Sequence, residues 1–104
     1  MGCSVAVTAS FSKRFDAAVE SRLSNVGPHS AASLVEERDR VISLLETTPR
    51  YGSLVDKSQG RIGPLRWVHM PSYIAVYSID ETRNTVVLLD LFYESQDWKR
   101  KILS

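Results

Sequence analysis

Three β-rich runs crowd the second half of the chain, at residues 65–70, 73–80 and 85–93, joined by links short enough to favour antiparallel neighbours. Pro71-Ser72 makes a tight turn after the first run, and Glu81-Thr82-Arg83-Asn84 a longer hairpin loop after the second. In the last run Val87, Leu89, Leu91 and Tyr93 alternate onto one face and Val86, Leu88, Asp90 and Phe92 onto the other. Both faces are largely apolar, which predicts a central strand buried on two sides, with Asp90 as the misfit.

The cover for such a sheet lies in the first half. Phe11, Phe15, Ala18, Val19 and Leu23 recur at spacings of three and four and make one stripe of a helix over residues 11–23, for which Ser10 is the expected N-cap. Gly27-Pro28 breaks it, and Ser30 or Ser33 is expected to cap a second helix on which Leu34, Arg38, Val41 and Leu45 adjoin a row of Val35 and Ile42. Thr47-Thr48-Pro49 ends that helix, because the residue before a proline is pushed out of the helical region.

Residues 4–9 alternate small polar and apolar side chains, as a strand with Val5 and Val7 turned inward would. Residues 49–60 have the turn residues of a surface connection. Asp97 or Ser95 can cap a last helical turn with Trp98, Ile102 and Leu103 on one side and Lys99, Arg100 and Lys101 on the other. The expected order is β-α-α-β-β-β-α, a single α+β domain over residues 1–104, with the helical hairpin packed on the sheet.

Composition removes several function classes. With 43% hydrophobic and 24% charged residues the chain is of ordinary globular type, and no apolar run approaches the roughly 20 residues of a membrane helix. The first residues lack the basic flank and apolar core of a signal peptide, so a cytoplasmic protein without membrane attachment is expected. Cys3 has no second cysteine and no His at metal spacing, so neither a metal nor an organic cofactor is expected. The net charge of +1 excludes a chain-wide nucleic-acid footprint. Between Asp56 and Asp80, however, Lys57, Arg61, Arg66 and His69 stand without a carboxylate, a local patch that favours an anion. Trp67 alternates with Leu65 and His69 and is expected in a core or interface. Tyr73 and Tyr77 share a face and are expected to pack, with their hydroxyls reaching polar partners.

The order of elements, together with Leu44-Leu45-Glu46-Thr47-Thr48-Pro49-Arg50-Tyr51-Gly52, Leu65-Arg66-Trp67-Val68, the 73–80 strand and the ending Asp97-Trp98-Lys99-Arg100-Lys101-Ile102-Leu103, resembles the RelE/ParE superfamily of toxins from type II toxin–antitoxin modules. The resemblance covers nearly the whole chain. It implies a growth-inhibiting toxin neutralised by a cognate antitoxin, as a homodimer or as a hetero-oligomer with that antitoxin, and with one of two targets. RelE-type members are ribosome-dependent mRNA endoribonucleases that use the substrate's own 2′-hydroxyl, helped by cations and by an acid and a base. ParE-type members bind DNA gyrase.

For an RNase the resemblance implies a catalytic set of Arg61, Arg66 and Tyr93, with Lys57, His69 and Glu94 nearby. For a binding role it implies Lys57, His69, Trp98, Lys99, Arg100 and Lys101. Ile74 stands where RelE-type enzymes commonly carry Arg, and Tyr93-Glu94-Ser95-Gln96 lacks their His and Arg residues. The Asp-Trp ending is more ParE-like. These departures put a ParE-like gyrase inhibitor first, an mRNA interferase second and a toxin-like binding module without toxicity third.

Overall fold

A computed structural model describes residues 2–55 and 63–103. The elements run β1 (Ser4–Val7), α1 (Ala9–Asn25), α2 (Pro28–Thr47), β2 (Ser53–Leu54), β3 (Arg66–Met70), β4 (Tyr73–Asp80), β5 (Thr85–Tyr93) and α3 (Trp98–Leu103). The expected α+β order holds, with one addition: β2 lies inside the stretch read as a surface connection. At two residues it is too short to leave a periodic signal.

The strands form one sheet in the order β1-β5-β4-β3-β2. All neighbours are antiparallel except β1, which runs parallel to β5 and pairs with it from Ser4↔Thr85 to Val7↔Leu88. Strand β5 lies inside the sheet between β1 and β4 and feeds cores on both faces, as expected, while the middle position of the five belongs to β4. Its residues from Tyr73 through Ser78 are buried on both faces, which fits its Val, Ile and Tyr content.

Helices α1 and α2 cover one face. Phe11, Phe15 and Ala18 of α1 and Leu34, Val41 and Leu45 of α2 join Val68, Met70, Ala75, Tyr77, Val86, Leu88 and Leu91 in the main core. Arg38, inside the apolar row of α2, lays its guanidinium 4.7 Å from the Phe15 ring centre, so its cation caps the aromatic face while the stem packs. Leu23 and Val7, expected inward, are 51% and 43% exposed, the first in the last turn of α1 and the second on the edge strand β1.

The caps also differ from expectation. Thr8 rather than Ser10 begins α1, its Oγ1 accepting the Phe11 N–H at 3.1 Å. Helix α2 starts at Pro28 itself, ahead of Ser30 and Ser33. Gly27 supplies φ +135°, which side-chain-bearing residues rarely adopt, and Pro28 fits the first turn because it has no N–H to satisfy.

On the opposite face α3 packs a second, smaller core. Trp98 sets its ring edge-on to Trp67 at 5.6 Å, over Leu65, Ile74, Val76 and Phe92, with Leu89 and Ile102 at its margin. The strict alternation expected of β5 fails here. Val76 pairs with Asp90 but Tyr77 with Leu88, so Leu89 is an extra residue, a β-bulge. Past the bulge the faces exchange: Leu91 joins Val86 and Leu88 beneath the helices, and Phe92 joins Leu89 beneath α3.

Candidate functional site

Arg66 begins β3 in the row Arg66–Tyr77–Leu88, at one end of the helix-covered face. Its Nη1 donates to the carbonyls of Gly52, at 2.7 Å, and Arg50, at 3.1 Å. Beside it the fully buried Tyr77 hydroxyl donates to the Pro49 carbonyl and accepts the Gly52 N–H, both at 2.8 Å. Burial pushes the Tyr77 phenol above its ordinary value, with the Gly52 bond and the Arg66 charge opposing. Only glycine fits at 52: a Cβ there would stand 2.6 Å from both the Trp67 carbonyl oxygen and the Tyr77 hydroxyl. Arg66 and Tyr77 thus pin the turn after α2 onto the sheet.

Tyr93 lies at the other end, in the row Met70–Tyr73–Tyr93. Arg66 and Met70 are the two ends of β3, so Arg66 and Tyr93 are separated by about 13 Å along the strands at ~3.3 Å per residue. The structure does not bring them together. Arg61 and Lys57 lie outside the described residues. Tyr93 instead stacks obliquely on Tyr73, 4.9 Å between ring centres, and Arg22 sits over the Tyr73 ring while its Nη2 donates to the Pro71 carbonyl at 3.0 Å. Burial, then the hydroxyl shared with Tyr93, raises the Tyr73 phenol above its ordinary range, and Arg22 works against both.

His69 is on the α3 side of β3, half exposed, with Nε2 2.5 Å from Glu94 Oε2. No partner for it is visible nearby in sequence, because Glu94 reaches it across β4 and 25 residues of chain. Trp98 is 8% exposed and belongs to the smaller core, so it anchors α3 rather than presenting a free indole. Lys99 lies over that indole at 5.6 Å, and Arg100 pairs with Asp97. Among the described residues no group of three His, Cys, Asp or Glu side chains gathers to hold a metal. No described helix is long and apolar enough to cross a membrane.

Arg14 was not singled out by its sequence, which shows only a charge on the outer face of α1. In the structure its Nε lies 2.8 Å from Asp90 Oδ1 and its guanidinium 5.3 Å from the Phe92 ring centre. It stands between two clefts. One, of about 200 Å³, runs between α1 and the end of β5 past Ala17, Tyr73, Leu91 and Gln96. The other, of about 330 Å³, opens on the α3 side over Leu65, Val76, Leu89 and Ile102. The signal for this region was Asp90, the one carboxylate in an otherwise apolar strand.

Set against solved structures, the arrangement is familiar. The chain superposes on a structure of the chromosomal ParDE toxin–antitoxin system from P. aeruginosa with a TM-score of 0.68, over 88% of this chain and 95% of that one, at 15% identity. The fold is that of the RelE/ParE toxins. RelBE2, a toxin–antitoxin complex from Mycobacterium tuberculosis, matches with a TM-score of 0.59 over 90% of this chain and 100% of that one, at 19% identity. A mutant of the E. coli toxin RelE in its free state matches at 0.61, over 98% and 94%, at 11% identity. No protein-family model and no curated protein matches the sequence. On this RelE/ParE-like frame the described side chains build the Trp67–Trp98 and Tyr73–Tyr93 pairs, one pinned turn and two clefts on either side of Arg14. They do not build a convergent set of acid, base and cation.

Proposed function

We propose that the chain is the toxin of a type II toxin–antitoxin pair and that it acts in the ParE manner, by inhibiting DNA gyrase, without cutting RNA. The supporting observation is the engagement of Arg66. Cleavage by a 2′-hydroxyl needs cations free to meet the developing phosphorane charge, and an acid and a base within reach of the same phosphate. The guanidinium of Arg66 is held by two backbone carbonyls, and Tyr93 is a strand length away. A chain of net charge +1 also gains little of the phosphate-driven affinity that a ribosome-bound nuclease relies on. The partner is a small antitoxin that covers the toxin's working surface.

One observation favours a ribonuclease as the second reading: the half-exposed His69 with its carboxylate partner Glu94, a pair suited to general acid–base work. The test is expression of the chain alone in a bacterium, with transcript cleavage and the SOS response followed together, and purified chain added to a gyrase supercoiling assay. Filamentation with intact transcripts and lost supercoiling is expected. Cuts at codon positions that disappear in His69→Gln would establish the nuclease instead. Arg66→Ala is expected to keep its growth arrest while losing about 1–2 kcal/mol of stability, since its two charged hydrogen bonds are partly exposed. Loss of toxicity in a variant that stays folded would return Arg66 to the active site.

A further inference from the structure

Of the four tyrosines in the chain, Tyr73 and Tyr93 form a pair with chemistry of its own. They are direct partners in the register of β4 and β5, so their side chains rise from the same side of the sheet. The ring centres are 4.9 Å apart with the planes 30° from parallel, near the short end of ordinary aromatic spacing. The two hydroxyls share a hydrogen bond. That bond sets side by side the ring carbons next to each hydroxyl, which are the positions at which phenoxyl radicals couple.

The surroundings make the two rings unequal. Tyr93 is 47% exposed and open to a reagent, whereas Tyr73 is buried and is reached through Tyr93. The Arg22 guanidinium lies 5.5 Å from the Tyr73 ring centre and opposes a net positive charge there, so an electron leaves this phenol together with its proton. The shared hydrogen bond gives that proton a path. The other two tyrosines lack such an arrangement. Tyr77 is fully buried, its hydroxyl is spent on Pro49 and Gly52, and it stands about 13 Å along β4 from Tyr73 at ~3.3 Å per residue. Tyr51 is 58% exposed and, among the described residues, has no second ring against it, so it can only join two molecules.

We infer that Tyr73 and Tyr93 are an oxidative modification site, at which a one-electron oxidant of the haem-peroxidase class, driven by hydrogen peroxide, joins β4 to β5 through a dityrosine bond. The oxidant takes one electron and one proton from the exposed Tyr93. The resulting radical draws a hydrogen atom from Tyr73 along the shared bond, and a second oxidising equivalent strips Tyr93 again. The two phenoxyl radicals couple carbon to carbon, and each ring regains aromaticity by passing its displaced ring hydrogen to its oxygen. Two C–H bonds have then been exchanged for one C–C bond, and the peroxide has become two waters. The link fastens the cleft of about 200 Å³ that both rings line. Neither the site nor its chemistry depends on the toxin reading.

The test treats the full-length chain with a haem peroxidase and hydrogen peroxide, follows dityrosine fluorescence, and sizes the product under denaturing conditions. A fluorescent monomer lighter by two hydrogen atoms is expected, in a yield that dilution leaves unchanged, because a partner held in contact outcompetes one met by diffusion. Trypsin cuts after Arg66, Arg83 and Lys99, so residues 67–83 and 84–99 should emerge as one joined peptide, with fragmentation placing the bond between Tyr73 and Tyr93. Tyr73→Phe and Tyr93→Phe keep the rings and should each lower the yield of linked monomer by at least about tenfold. Tyr51→Phe should leave it unchanged and remove linked dimers.

Linked monomer that persists in either of the first two variants would overturn the inference, since the bond would then run through Tyr77 or Tyr51. So would dimers through Tyr51 without linked monomer, or a Tyr93 that gains oxygen instead of a bond to Tyr73. A Tyr93 left intact under conditions that consume Tyr51 would overturn it as well.

Discussion

Replacing Tyr77 by phenylalanine removes one oxygen and leaves the ring, so the packing of the main core is kept while the pin on the turn after α2 is withdrawn. Two groups lose their partner. The Gly52 N–H is in a buried residue, and an orphaned donor there costs about 1–3 kcal/mol. The Pro49 carbonyl is only half buried and recovers water, so its loss is held to roughly 0.5–1 kcal/mol. The sum, about 1.5–4 kcal/mol, is a large part of the roughly 5–15 kcal/mol that holds a domain of this size. Urea unfolding followed by tryptophan fluorescence reads it directly. With a slope of about 2 kcal/mol per molar, the middle of the usual range, the midpoint should fall by about 1–2 M at unchanged slope. A loss below about 0.5 kcal/mol would refute the pin, and would mean that the turn is held by its own sequence or by Arg66 alone.

Alkali tests the same hydroxyl from the other side. Its folded pKa is raised, mainly by burial, so its contribution is complete below the unfolded value of about 10 and is lost as pH rises from there through the folded value; the stability gap between wild type and Tyr77→Phe should narrow above pH 10. Thr8→Ala deletes both the N-cap of α1 and the donor to the Leu89 carbonyl and should cost about 1–2 kcal/mol in thermal unfolding, whereas Thr8→Ser, which keeps the oxygen, should recover most of it. Trp98→Ala removes the anchor of α3 and should destabilise by about 2–4 kcal/mol, with the amides of α3 exchanging ahead of those in β4; equal exchange in the two elements would show that α3 does not depend on the Trp67 contact.

Much of the frame was legible because its signals are long. The stripe through Phe11, Phe15 and Ala18, the proline exit at Pro49 and the turn residues between β3, β4 and β5 each act through local sterics or periodicity, and the structure obeys them. The expectation that Tyr77 packs with its hydroxyl satisfied also holds. What escaped depends on contacts distant in sequence. Nothing near Arg66 foretells that its donors go to Arg50 and Gly52, nor that His69 meets Glu94. The preference for Thr8 over Ser10 as N-cap is settled by the Leu89 carbonyl, 81 residues away.

The bulge at Leu89 shows why a site can hide in a correctly located strand. Two-residue periodicity assigns every side chain of β5 to a face, and one inserted residue reverses every assignment after it. By strict alternation Asp90 belongs with Val86 and Leu88 beneath the helices, where a carboxylate would be costly. After the insertion it sits at the margin, able to reach both its neighbour's amide and Arg14. The same insertion lies just beyond the end of β1, so the strand bends where its pairing stops. An apolar strand with one misplaced carboxylate is therefore better read as a strand with a bulge at that carboxylate than as one with a buried charge. Asp90→Leu separates the two readings. If Asp90 caps an open edge, the variant folds with near-native stability but self-associates through the uncovered strand, and sedimentation at rising concentration would show it; a monomer gaining several kcal/mol would mean that Asp90 was a buried charge after all.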